Sequence, residues 1–233
     1  AMGHWWSDAT LLDSALAYAE QAIPVVPLHH PAVSGNRWRQ RWSTLGCSCG
    51  QPGCAQPSEH PLTPDGLADA TTDSAQVRAW WRRHPEANVG LATGVVFDVL
   101  DLDAATGQTA FRRLKALAAP IGPVARTGSG RWHFYTVATG LTSSAIPRGA
   151  GVVDPVVWHG RGGFVVAAPS RHVSGALTRW LRALTLPMPE VQPLLHELLA
   201  AREQHAPGAR TAGPGSVARP EWGCQAALVR AQP

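Results

Sequence analysis

At 233 residues with 45% apolar content, the chain can bury a real core as one large domain or two small ones, and wholesale disorder is excluded. Charged residues make up only 15%, and nineteen arginines plus Lys115 outweigh sixteen acids for a net charge of +4. That balance permits a polyanionic partner without requiring one, and arginine's planar fork suits phosphate. No apolar run approaches the ~20 residues of a membrane span and no signal-peptide pattern opens the chain, so a soluble, cytoplasmic protein is expected.

Residues 8–21 carry Leu11, Leu12, Ala15, Leu16 and Ala19 at helical spacing, with Ser7 or Asp8 placed as the cap. IPVVPL (23–28) reads as a short buried strand. Residues 29–66 are rich in Pro, Gly, Ser, Cys and His without a period, a loop or small subdomain too long for an idle connection. Asp73 caps a helix over 74–84, which Pro85 stops. An α+β block comes next: strands at 88–93 and 95–103, a helix through 111–118, then strands at 123–127, 132–137, 152–158 and 163–168. A last helix is predicted over 189–203, and the Ala/Gly/Pro-rich stretch from His205 reads as a linker or tail.

In CSCGQPGC, Cys47, Cys49 and Cys54 precede His60 with the spacing C-x-C-x4-C-x5-H. Three thiolates and an imidazole suit tetrahedral zinc, and a loop this poor in apolar residues would need metal binding to fold. His29 or His30 are alternative fourth ligands, and Cys224 is left unpaired. Four protein ligands leave no open position, so such a zinc is structural.

In VVFDVLDLD, Asp101 and Asp103 lie two apart at the end of an apolar strand, where period-2 geometry points them to one face. Paired carboxylates repel, and a hard divalent ion, Mg2+ or Mn2+, resolves the repulsion. The competing reading is that the pair ends the strand and caps the element after it. Asp98 has the opposite parity and reads as structural. RTGSGRWHFY (126–135) joins a Gly/Ser turn to a strand: the amides of Gly128, Ser129 and Gly130 can form an anion nest, with Arg131, His133 and Tyr135 on one strand face beyond it. A plain hairpin with a buried histidine is the alternative. Arg37, Trp38, Arg39, Arg41 and Trp42 mix charge and rings as either a nucleic-acid surface or a Trp-anchored interface.

Taken in order, A-Y-A-E-x-x-I-P-V-x-P-L, CSCG…C…HPLT, D-A-T-T-D…WW…NVGLATG, DVLDLD, RTGSGRWHFY and GGFVVAAPS resemble the bifunctional DNA primase/polymerase domain of the archaeo-eukaryotic primase superfamily, over about residues 8–182. The resemblance implies an α+β fold, with an RRM-like palm sheet packed with an N-terminal αβ unit plus a zinc-binding loop. It implies a catalytic domain over 5–204, with the zinc loop (29–66) inserted, and a flexible tail over 205–233. It further implies metal-dependent nucleotidyl transfer: Asp101 and Asp103 would bind Mg2+ or Mn2+, and His133 with Ser129 and Arg131 would hold the triphosphate. Single-stranded DNA and nucleoside triphosphates would be the partners, with a helicase or other replication protein beyond the C-terminus. The family's third metal-binding aspartate falls on Val157, and its arginine on His159. Asp154 is the nearest acid, of the wrong parity unless Pro155 marks a bulge, and is the expected substitute, with His159 contributing to nucleotide binding; a crippled site is the alternative. Glu59 stands where the family tends to have lysine. The alternative is a catalytically degenerate, nucleic-acid-binding module.

Overall fold

The computed structural model describes residues 10–33, 45–116, 121–146, 156–184, 188 and 190. In chain order the elements are α1 (Leu11–Glu20), β1 (Val25–Leu28), β2 (Pro31–Val33), β3 (Leu45–Cys47), a 3-10 turn (Gly66–Asp69), α2 (Ser74–Arg83), β4 (Asn88–Ala92), β5 (Phe97–Leu102), α3 (Ala104–Ala116), β6 (Val124–Arg126), β7 (Trp132–Val137), β8 (Ser144–Ile146), β9 (Val156–His159), β10 (Phe164–Val166) and β11 (Arg179–Arg182).

The strands form three antiparallel sheets: β1-β4-β10, β11-β6-β7-β5-β9-β8, and the pair β2-β3. Mixed helix and antiparallel sheet is thus the fold class. The segment Gly160–Gly163 carries the chain from β9 in the large sheet to β10 in the small one. Because β10 returns to pair with β4, the N-terminal αβ layer is completed by a strand from far along the chain.

The large sheet buries both faces, so β5 is buried at every position. Its alternation sorts side chains to two cores. Leu100 and Leu102 meet Phe134, Trp132, Trp158 and, from α3, Ala110 and Phe111. On the other face Val99, Tyr135 and Ala125 pack with Val25, Val89, Leu91 and Val165 of the small sheet, Tyr18 of α1 and Trp81 of α2. Following this second face along β5 leads from Val99, paired with Tyr135, to Asp101, paired with His133. The face therefore starts in the core and ends at a polar rim.

Several expectations are revised. The first helix begins at Leu11 and is capped by Thr10, not by Ser7 or Asp8. The cap is a reciprocal box: Thr10 Oγ1 accepts the Asp13 N–H at 3.1 Å while the Asp13 carboxylate takes the Thr10 N–H at 3.1 Å. The 29–66 loop contains the β2-β3 hairpin, whose register pairs Pro31 with Cys47. The predicted strand over 152–158 is described only from Val156 and runs to His159. The predicted helix over 189–203 and the tail lie outside the described residues. Among the described residues no helix is long and apolar enough to cross a membrane.

Candidate catalytic and metal-binding sites

Asp101 sits near the end of β5, 7% exposed, with His133 of β7 on one side and Val157 of β9 on the other as its cross-strand partners. Arg131 Nε donates to Asp101 Oδ1 at 2.7 Å, and its Nη2 reaches the Asp101 carbonyl at 3.3 Å. His133 Nε2 lies 3.8 Å from Oδ1 and His159 Nε2 lies 3.6 Å from Oδ2. His159 shares the Asp101 face because the register pairs it with Val99, two residues away. Burial alone would push the Asp101 carboxyl up. The His159 contact, then the charges of His133 and Arg131, outweigh it and hold the group below the usual carboxylate range.

Burial drives the His133 pKa down to about 4; the Asp101 charge opposes this, while His159 and Arg131 add to it. His133 is therefore neutral at pH 7, and its approach to Asp101 is dipolar rather than an ion pair. Among the described residues its Nδ1 is buried without a hydrogen-bond partner, as is the Tyr135 hydroxyl one position further into the core on the same face.

Asp103 lies just past the strand and caps α3: its Oδ1 accepts from the amides of Ala105 at 2.9 Å and Thr106 at 3.0 Å. Burial raises its pKa, but hydrogen bonds from Thr106 and Ala105 and the Arg131 charge bring it below the usual value. The capping alternative is thus realised at Asp103, which remains half-buried. Asp98 points to the opposite face and accepts the Thr139 N–H at 2.8 Å and hydroxyl at 2.6 Å, a structural role.

The turn between β6 and β7 closes through Thr127 N–H to Arg131 C=O at 2.9 Å and Gly130 N–H to Thr127 C=O at 2.9 Å. Gly130 has φ +90°, a conformation that excludes most side chains. Two of the three expected nest amides are committed within the fold: Gly130 to Thr127, and Gly128 to the Thr178 hydroxyl at 3.3 Å. The Ser129 hydroxyl pairs with that of Thr127 at 2.8 Å.

Cys47, Cys49, Cys54 and His60 place their ligand atoms within 4.8 Å of one another, and the three thiols are free. The β2-β3 hairpin brings Cys47 forward, and Gly50 and Gly53, at φ +71° and +72°, bend the loop around the cluster. The Ser58 amide donates to Cys47 Sγ at 3.3 Å, an outer contact of the kind that orients a ligating thiolate. Burial pushes the Cys47 thiol up to about 11. Three soft donors and an imidazole, grouped without a disulfide, fit a tetrahedral metal such as zinc. His60, not His29 or His30, is the fourth member. His29 bonds Ser48 Oγ at 2.8 Å and stacks on His60 with ring centroids 4.3 Å apart, while His30 bonds the Pro31 carbonyl at 3.1 Å.

Sequence reasoning did not foresee that Glu59, next to His60, would feel the charges of the Asp101 site. Burial and then the Asp101 charge raise the Glu59 carboxyl above its usual value, and the Arg131 charge lowers it. His172, unremarked in the sequence, lies 4.0 Å from Glu59. The sequence marked Glu59 only as a departure from the family's lysine and did not mark His172, since the two are brought together by elements far apart in the chain. Asp154 and the cluster Arg37, Trp38, Arg39, Arg41 and Trp42 lie outside the described residues.

No curated protein matches the chain. A family model for the N-terminal domain of bifunctional DNA primase/polymerases matches residues 15–194, which takes in the Cys/His cluster, β5, the Gly130 turn and β9. A match over most of the chain, spanning each of these sites, shows that the chain belongs to the bifunctional DNA primase/polymerase family.

Proposed function

We propose that this domain performs metal-dependent, template-directed nucleotidyl transfer on single-stranded DNA, making or extending primers in the replication of a plasmid, phage or other mobile element, with the six-stranded sheet as an RRM-like palm. The observation that carries the reading is the Asp101 cluster: a carboxylate, an arginine fork and two histidines gathered from β5, the turn before β7, β7 and β9 at the rim of one sheet, in a chain of this family.

Asp101 and Asp103 suit a hard divalent ion, Mg2+ or Mn2+, by donor type, Asp101 near the end of β5 and the half-buried Asp103 just past it. When bound, such an ion lowers the pKa of an attacking 3′-hydroxyl and neutralises charge on the phosphates. Arg131, pre-positioned by Asp101, supplies a fixed fork for triphosphate oxygens. Neutral His133 offers an N–H without a second positive charge, and the Ser129 hydroxyl borders the same turn. Zinc held by Cys47, Cys49, Cys54 and His60 stiffens the loop. The RWRQRW segment (37–42) contacts template through phosphate pairing and base stacking, and a helicase or other replication partner continues the machine.

One observation favours a second reading, a binding module without turnover: the residue facing Asp101 on β9 is Val157, and Asp101 Oδ1 is already taken by Arg131. Labelled dNTPs, Mn2+ and a primed template separate the two. Extension that falls at least ~100-fold in Asp101→Asn establishes the enzyme; DNA binding without extension establishes the module. Asp103→Asn is the companion variant. Asn caps a helix as well as Asp, so lost turnover there reports chemistry rather than a frayed α3.

A further inference from the structure

The end of the large sheet that carries Asp101 also carries two arginines that face each other. β11 pairs with β6 so that Arg179 stands directly opposite Arg126. Arg126 in turn pairs with Trp132, and Trp132 with Leu102, the residue between Asp101 and Asp103. Both arginines are exposed. Arg126 lies two strands over from β5, about 10 Å at ~4.8 Å per strand, and Arg179 one strand further.

Like charges directly opposite on neighbouring strands destabilise a sheet, and an acid beside them would remove that cost. Among the described residues neither guanidinium has an ion pair or a hydrogen bond. Arg126 is held over the Trp132 ring, 5.9 Å from its centroid, on the face that α3 packs. That contact fixes the charge while leaving it open to solvent. Arg179 also lines a cleft of about 850 Å³ with Arg171, Trp180 and His30, and the one acid there, Glu86, faces His30 at 3.7 Å. Charges on an edge strand keep it from pairing with another sheet. This accounts for Arg179 and Arg182 on β11, but not for Arg126, which sits on the interior strand β6. A bound polyanion accounts for both members of the pair.

We propose that Arg126 and Arg179 form a clamp for the phosphate backbone of single-stranded DNA, holding the strand beside the Asp101 end of the sheet. This rests on the nucleotidyl-transfer reading above and adds a surface that the Arg131 fork does not supply. The register sets two planar forks side by side, with Cβ atoms ~5 Å apart, a spacing that phosphate oxygens can bridge. Such contacts read charge and not bases, so the clamp takes any sequence. A nucleoside triphosphate has the same phosphate chemistry, but Asp101 projects from the other face of the sheet, the one it shares with Val99.

The test measures binding of the full chain to fluorescently labelled single-stranded DNA by anisotropy over a range of NaCl concentrations. The logarithm of affinity falls linearly with the logarithm of salt, and the slope counts neutralised phosphates at ~0.7 each. Arg126→Gln/Arg179→Gln is expected to flatten the slope by about 1.4, alike for oligo-dT and mixed sequence, with Mn2+–dATP affinity unchanged. Arg126→Lys/Arg179→Lys keeps the charge and should keep the slope. Arg82→Gln/Arg83→Gln, which removes two exposed arginines from the last turn of α2, should also leave it as in wild type. An unchanged slope in the first variant, an equal loss in either of the others, or lost dATP affinity in its place overturns the clamp and leaves the nucleotidyl-transfer reading standing. A wild-type chain that binds no single strand overturns both.

Discussion

The Cys/His cluster and the Asp101 cluster are built in opposite ways. The first takes its four members from one stretch between Cys47 and His60 and closes them with two glycine bends and a short hairpin. The second takes Asp101, Arg131, His133 and His159 from three strands and a turn, held in register by a sheet with a core on each face. A metal would hold the first together, whereas packing holds the second. Metal removal, acid and mutation should therefore strike the two differently.

The largest expected effect is on the loop. Cys49→Ser should abolish stoichiometric zinc, whose binding in such sites supplies ~10–16 kcal/mol of apparent free energy, and amide exchange should rise over residues 45–66. The large sheet should keep its protection, because its cores involve none of these residues. Collapse of the sheet in the same variant, or a purified chain without metal, would erase the contrast.

Acid should act on the Asp101 side through His133. Its folded-state pKa is near 4 against ~6.5 in an unfolded chain. Between these values the unfolded state binds the extra proton, so stability falls as pH drops from about 6.5 towards 4. The full loss is about 3 kcal/mol for a group this buried. Urea unfolding of wild type and His133→Gln across that window reads the difference, and the variant should show the shallower slope. Equal slopes would mean that His133 is not held neutral by burial.

A smaller effect should appear where the regions join. Asn88, 1% exposed, donates to the Ser58 carbonyl at 3.0 Å and the Arg171 carbonyl at 2.8 Å, and accepts the Arg171 amide at 2.9 Å. Asn88→Ala leaves these groups unpaired and should cost about 2–3 kcal/mol, with zinc content unchanged and faster exchange near 58–62. A variant that lost its zinc would show that the cluster depends on docking and is not self-contained.

This contrast also explains which parts were readable in advance. The Cys/His ligands stood out because metal geometry leaves a short, regular spacing in the chain, although the choice of His60 over His29 and His30 needed the fold. The strand carrying Asp101 and the face shared by Arg131, His133 and Tyr135 came from period-2 alternation. The role of Asp103 as the cap of α3 was one of two readings that only the backbone path separated. Strands β8 and β11 escaped notice because three- and four-residue edge segments carry too little pattern to register.

The order of residues along the chain determined the element types, the thiol spacing and the alternation that sends Asp101 to a different face from Leu100, because each depends on geometry repeating over a few residues. Tertiary structure alone decided that Val157 would face Asp101, that His159 would come within 3.6 Å of it, and that Glu59 would lie 4.0 Å from His172. Those meetings depend on strand register and on how one sheet packs against another, and contacts between residues tens of positions apart leave no periodic trace in the chain.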